Sequence, residues 1–428
     1  MSITGNLYTG ASGLASHADA MNVISDNIAN VNTTGFKSSR GNFSDVLGSM
    51  IAGKPAGAGS RLSSTQIDFS QGSLIGTGNT TDMAIRGEGF FLASGIIDGV
   101  ESTFFTRNGA FSIDADGNVV NGQGLRIQGN PTDDAGNLLN TISDLRVSTN
   151  SIPPNPTTSM SIVATLDASQ AISSQAFDVN SPGATSDFAT SITTYDSLGR
   201  SHELGVYFKR VAPTGTEAAR WDYHILAPAD AITPGATGQV ELTPAAASIT
   251  FDTTGNLISN NTTSVTAAWD GAEPATIDLD FGSLADGVGK ISTSEMASNA
   301  TFLTQDGFSS GDMAGLRVDE QGVMSGLFSN GQERVLGQIA LSRFPNNDGL
   351  EKRGHGLYAA TKNSGAPVVG VPQSGGRGSI ISGSLEGSNV NLADEFVEMI
   401  TIQRGFQSNS KTINTADDLL STVLQIKR

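Results

Sequence analysis

Three short stretches carry residue types that could do chemistry. Gly48-Ser49-Met50-Ile51-Ala52-Gly53-Lys54-Pro55 has the glycine and lysine spacing of a loop that cradles phosphates with backbone N–H groups and an ammonium. Its eighth place, where a Ser or Thr hydroxyl would hold Mg²⁺, is Pro55, which cannot continue a helix interior, and no strand reads before it. Gly307-Phe308-Ser309-Ser310-Gly311 fits the pattern of a nucleophile elbow, a strained turn that lifts a serine between a strand and a helix. The residues after it, Leu316-Arg317-Val318 and an Asp-rich turn, read as a hairpin. Asp114-Ala115-Asp116-Gly117-Asn118 opens like a calcium loop but lacks the spacing and the glutamate at the twelfth place, so it reads as a turn. The histidines, His17, His202, His224 and His355, show neither i, i+4 pairing nor a neighbouring acid cluster suited to a metal. Cysteine is absent, which excludes disulfides and thiol catalysis and leaves the compartment open. The residues therefore predict no catalytic centre, no cofactor and no metal: not an enzyme.

The strongest pattern lies at the two ends. Leu392, Met399, Phe406, Ile413 and Leu420 step by seven, with Ile402, Ala416 and Val423 on a second row three residues on. Alternating spacings of three and four describe a helix seam. Asn409 interrupts the second row, and Gln403, Ser408, Ser410 and Thr412 make its middle polar, so a leucine at 409 is expected to strengthen association. At the other end Leu7, Leu14, Met21 and Ile28 step by seven, with Ile24 and Val31 on one flanking row and Ala11 and Ala18 on the other. Gly5, Gly10 and Gly13 weaken that helix on its own. Neither stripe can be buried alone, so the helices are expected to pack on each other and on copies in neighbouring subunits.

Charge and composition narrow the class further. Residues 1–50 carry two cations against three anions and residues 386–428 four against six, out of a net charge of −18, so nearly all the negative charge lies between. Nucleic acid and anionic lipid are excluded as expected partners. Aromatics at 6% with 51 glycines point to thin β cores with many turns. The N-terminus has no basic region followed by an apolar run, and no stretch is long enough to span a bilayer, so export, if it occurs, needs a route other than a cleaved signal.

Along the chain, alternating apolar residues bounded by Asn108-Gly109 and Asp116-Gly117 read as hairpins over 82–111. A counterpart block, 315–367, contains Asp319-Glu320-Gln321-Gly322 and residues 337–341, and the two blocks are expected to close into one β domain. Pro153, Pro154 and Pro156 mark entry to an insert with strands at 161–166, 191–195, 203–209, 221–225, 248–251 and 276–281. The predicted class is α+β and multi-domain: paired terminal heptad helices forming an inner coiled-coil-like domain, with nested all-β outer domains. The expected divisions are a helical assembly domain (1–34 and 390–428), a loop-rich linker region (35–75 and 366–389), a discontinuous β domain (76–146 and 286–365) and an inserted sandwich or barrel (147–285).

Two end segments carry a family resemblance. SDNIANVNTTGFK (residues 25–37), with Asn27, Asn30, Gly35, Phe36 and Lys37, resembles the N-terminal signature of the bacterial flagellar rod and hook family. QRGFQSNSKTINTADDLLSTVLQIKR (403–428), with Arg404 and Gly405, resembles the matching C-terminal signature. Both β blocks and YDSLGRSHEL (195–204) are also similar to that family. Within it, the length and the large insert favour the hook branch over the distal rod subunit, which is shorter and lacks such an insert. The resemblance implies a homopolymer that forms a flexible tube, a universal joint that transmits torque from basal-body rod to filament. It implies as partners the rod proteins, the hook cap protein, the hook–filament junction proteins and the flagellar type III export apparatus. It implies an extracellular place in the flagellum. Leu7, Leu14, Met21, Ile28, Leu392, Met399, Phe406, Ile413 and Leu420 are then the expected assembly residues.

Overall fold

The computed structural model describes residues 3–426 except 52–53, 98, 134–135, 148–150, 244–246, 260–262 and 284–287. It is mostly β-sheet, with a long helix at each end, Ile3–Ala29 and Leu392–Ile426. The inner end of each helix has a local cause. Asn30 Nδ2 donates to the Asp26 carbonyl (2.8 Å), closing the last turn of the first helix. Asn391 Oδ1 accepts from the Ala393 N–H (3.1 Å), and Asp394 and Glu395 stand in the first turn, where the helix dipole favours negative charge.

The chain divides into two compact units. The first comprises Met1–Thr149, Ala314–Leu327 and Glu333–Arg428. Its sheet is stitched from the two distant blocks. Glu333–Ile339 pairs antiparallel with Arg126–Pro131 (Gly337 opposite Pro131), Leu341–Arg343 with Phe90–Ile97, and Leu357–Ala359 with Val100–Thr106. Phe90, Phe105, Phe344 and Tyr358 form its aromatic core, with Phe105 edge-on to Phe344 at 4.7 Å.

The expected loop-rich linker 35–75 and 366–389 is corrected. Ser39–Ile51 and Lys54–Ile67 form a long antiparallel hairpin, and 366–389 holds strands Val368–Gly370, Ser379–Ser382 and Ser384–Glu386. The hairpin needs no run of large apolar residues because it lies on the first helix through small ones. Ser16 and Ser60 hydroxyls meet at 3.0 Å, and a Cβ at Gly59 (φ +105) would stand 1.8 Å from Ser12 Oγ. Three register shifts bend it along the helix. The phosphate-loop-like stretch is the turn of this hairpin: Met50 pairs with Pro55 and Ile51 with Lys54, so a strand stands on both sides; Ala52 and Gly53 lie outside the described residues.

The second unit comprises Asn150–Met313 and Phe328–Gln332, so the insert runs further than the expected 147–285. The reason is pairing. Ile291–Ser294 lies parallel, and Asn299–Gln305 antiparallel, to Ser159–Asp167. A second sheet runs Phe188–Tyr195, Ser201–Val211, Ala219–Pro228, with Gln239–Glu241 and Ser248–Phe251 both on the last of these. Residues from both sheets, among them Ile162, Phe208, Trp221, Tyr223, Ile277 and Phe281, share one core, which makes the unit a sandwich. The nucleophile-elbow-like stretch is a strap in this unit. Gly311 bridges Ile152, Phe308 bridges Asn155, and the next element is a strand, Met313–Val318, rather than a helix.

One turn recurs among the described residues. Asp114, Asp133, Asp196, Asp252 and Asp319 each accept from the N–H four residues on (2.7–2.9 Å), with a glycine in the left-handed region at the fourth place. The calcium-loop-like stretch is one of these, its first carboxylate engaged by Asn118.

Candidate functional site

The N-terminal signature folds into a buried clasp. Gly35, in the left-handed region (φ +68), ends the turn after the first helix and donates its N–H to the Glu386 carbonyl at 2.7 Å. A side chain there would meet the Asn108 backbone at 2.5 Å. The turn sends Lys37 inward, where its side chain is 0% exposed, as is that of Glu386. Lys37 Nζ donates to Glu386 Oε1 (2.7 Å) and to the Ser70 carbonyl (2.6 Å). Arg107 Nη1 reaches Glu386 Oε2 (3.3 Å), Nη2 donates to the Gly87 carbonyl (2.9 Å), and the guanidinium lies 5.4 Å from the Phe90 ring centre. The Gly72 N–H fills a further place on Glu386 Oε1 (3.0 Å). Burial pulls the Lys37 ammonium below its ordinary value, and Glu386 pulls it partly back.

Around this clasp the other signature residues take structural places. Asn27, buried, accepts the Ser39 N–H (2.9 Å) and donates to the Ser39 carbonyl (2.7 Å) and to Glu395 Oε1 (2.9 Å), so it joins first helix, hairpin and last helix. Asn30 closes its helix as described above. Phe36 lies under the Lys352 ammonium at 5.1 Å. Arg404 is exposed, and Gly405 is half-buried against His17. Asn389 accepts the Ser38 N–H and donates to the Asp68 carbonyl, both at 2.8 Å.

The terminal helices pack antiparallel. Gly10 faces Ile413, Gly13 faces Asn409, His17 faces Gly405, and Asn27 bonds to Glu395. The fully buried line on the first helix is Gly10, Gly13, Ser16, Ala20, Ile24 and Asn27, and Ile402 and Ala416 are its buried counterparts on the last. This differs from the expected seam. Leu7, Leu14, Met21 and Ile28 are half-buried, as are Met399, Ile413 and Leu420, with Ile413 on Gly10 and Met21, Ile28 and Met399 against the buried Ala20, Ile24 and Ile402, while Leu392 and Phe406 are exposed. Small residues take the centre because they let the backbones approach, leaving the seven-spaced rows beside it. The side chain of Val423 lies outside the described residues.

Sequence reasoning missed Glu386, Arg107 and Asn389. Glu386 is the lone acid in SGSLEGSNVNL (382–392), the one local signal that could have matched it to a buried Lys37. Among the described residues no group of three or more His, Asp or Glu could hold a metal, and no helix is long and apolar enough to cross a membrane.

Comparison with known proteins bears on the same segments. Residues 7–37 match the family described as flagella basal body rod protein, and 381–426 the flagellar basal body rod FlgEFG protein C-terminal family. Residues 84–165 match the flagellar hook protein FlgE/F/G D1 domain, and 165–308 the flagellar basal body protein FlaE D2 domain. The flagellar hook protein FlgE of Salmonella typhimurium is 35% identical over 426 residues, covering 97% of this chain and 98% of that one. That of Treponema pallidum is 33% identical over 474 residues, covering 99% of each. The crystal structure of Helicobacter pylori flagellar hook protein FlgE2 shares the fold, with a TM-score of 0.53 at 16% identity over 72% of this chain and 98% of that one.

Proposed function

This chain belongs to the flagellar hook protein family and is a subunit of the hook, and from that premise we propose that it polymerises with copies of itself into a flexible tube that carries torque from basal-body rod to filament. The observation that carries the proposal is an open apolar face. On the last helix, whose other side is already packed on the first, Phe396 is 50%, Val397 65% and Ile400 50% exposed. Leu392 and Phe406, 39% and 38% exposed, stand at the edge between this face and the packed side. A contiguous apolar face of that kind is an interaction surface. A second copy's terminal helices could cover it by packing side chains against this face. Leu7, Leu14, Met21 and Ile28 with Met399, Ile413 and Leu420 flank that contact and complete the assembly residues.

The remaining partners belong to the same place in the flagellum: rod proteins below, the hook cap protein during growth, the hook–filament junction proteins afterwards, and the type III apparatus for export. The distal rod reading is not favoured, because the relatives that match over the whole chain carry the hook name.

Electron microscopy of the purified chain under polymerising conditions tests the proposal. Tubes are expected from the unaltered chain and none from Phe396→Asp/Ile400→Asp, whose β units should stay folded by circular dichroism. Shapeless aggregate or persistent monomer from the unaltered chain, or normal tubes from the double variant, would overturn it.

A further inference from the structure

We propose that the register of the terminal helix pair is fixed by two reciprocal knobs, His17 of the first helix seated on Gly405 of the last, and Asn409 of the last seated on Gly13 of the first. A Cβ on Gly405 would lie 2.7 Å from His17 Nε2 and 2.8 Å from its Cε1. A Cβ on Gly13 would lie 2.7 Å from Asn409 Nδ2 and 2.8 Å from its Cγ. At distances under 3 Å an added carbon would force the facing side chain out of its seat, so each glycine is a notch for one side chain. Gly10 takes Ile413 on the same alignment, at 2.8 Å from its Cβ position, whereas Gly5, on the same helix, has nothing within 4 Å. His17 cannot swing away freely, because the Phe43 ring of the long hairpin lies 5.7 Å from it, tilted by 53°.

Antiparallel pairing turns the two contacts into a register. Moving along the first helix from 13 to 17 moves along the last from 409 to 405, so both contacts obey one alignment. Sliding the helices by one turn, four residues, in one direction brings His17 onto Asn409 and Met21 onto Gly405. Sliding them the other way brings His17 onto Thr401, Asn409 onto Thr9, and the two glycines onto each other. In the first case two large side chains collide, and in the second a void opens while both knobs lose their seats. Only the observed alignment gives each knob a glycine. The pair is then a strut of set length rather than two apolar rods free to slip, and Asn27 with Glu395 closes its far end at the same alignment (2.9 Å).

The inference deepens the assembly reading of these helices, but its test is read inside one unpolymerised chain, so either can fail while the other stands. The chain has no cysteine, which makes introduced pairs clean reporters. Ala20→Cys with Ile402→Cys, residues of one buried cluster, reports the observed register by oxidative cross-linking. Ala20→Cys with Glu398→Cys or Phe406→Cys reports a slip of one turn either way. Gly405→Ala is expected to lower the yield of the first pair by about tenfold or more. Asn409→Leu should do the same by overfilling the Gly13 notch. Adding His17→Ala to Gly405→Ala should return the yield to near its original level, since the alanine pair restores the space. If Gly405→Ala merely unfolds the helices, no pair cross-links, and recovery in the double variant still decides. An unchanged yield in Gly405→Ala, or no recovery on adding His17→Ala, would overturn the proposal.

Discussion

Glu386 meets one cation on each carboxylate oxygen, so its charge holds together two groups that would otherwise repel in a space closed to water. Glu386→Gln is expected to destabilise the first unit by about 3–5 kcal/mol, the range for one partner removed from a buried ion pair. Glu351→Gln, which breaks the half-exposed pair with Arg353 (3.1 Å), should change it by less than about 1 kcal/mol. Hydrogen exchange of residues 83–131 under denaturant reads both; equal effects would refute the ranking. Asp196 offers a pH test in the other unit. Burial pushes its carboxyl up, but hydrogen bonds with His202, with the Arg200 backbone and side chain, and with the Leu198 backbone outweigh burial and hold it down to about 2. A depressed carboxyl stabilises fully above its unfolded value of 3.8 and loses that contribution as pH falls through about 2. Trp221 and Trp269 are the chain's two tryptophans and both lie in this unit, so their fluorescence reports on it alone. Asp196→Asn should be less stable than the unaltered chain at pH 6, with the gap closing between pH 4 and 2. A gap that does not change over that interval would count against the assignment.

At the scale of elements, legibility tracked the size of the residues. Strands with alternating large side chains were readable: the expected strand at 248–251 matches Ser248–Phe251, and 161–166 lies inside Ser159–Asp167. Both terminal helices were readable from their spacing. The hairpin of Ser39–Ile51 and Lys54–Ile67 was not, because Gly and Ser break up its apolar residues and signal a loop when nothing shows what they pack against. The same blindness affected the helix pair. Gly10 and Gly13 read as weak points, yet they are where Ile413 and Asn409 fit. Asn409 read as an interruption whose replacement by leucine would strengthen association; with Gly13 opposite, the expected sign reverses. Parallel pairing of Ser159–Asp167 with Ala275–Asp280 and Ile291–Ser294 left no local trace, since a parallel ladder joins strands far apart in sequence.

For the whole molecule, the boundary of the second unit sets how it can be removed. Deleting 150–313 with a short linker should leave a soluble chain whose first unit keeps its hydrogen-exchange pattern. Deleting 147–285 should give aggregation, because Ile291–Ser294 and Asn299–Gln305 then lose the strand they pair with and present bare edges. Gel filtration ranks the two, and the reverse order would refute the boundary. The clasp adds a direction in time. Arg107 precedes Glu386 by 279 positions and Lys37 precedes it by 349, so a chain made from its N-terminus presents both cations long before the acid that neutralises them. The second unit, nearly all of it within Asn150–Met313, is finished in that interval and can fold first. The first unit must wait for Glu386 and the strand that carries it. A product truncated before residue 386 is therefore left with two uncompensated cations at its centre. The fold thus makes its first unit depend on a charge that arrives well after the two it must balance.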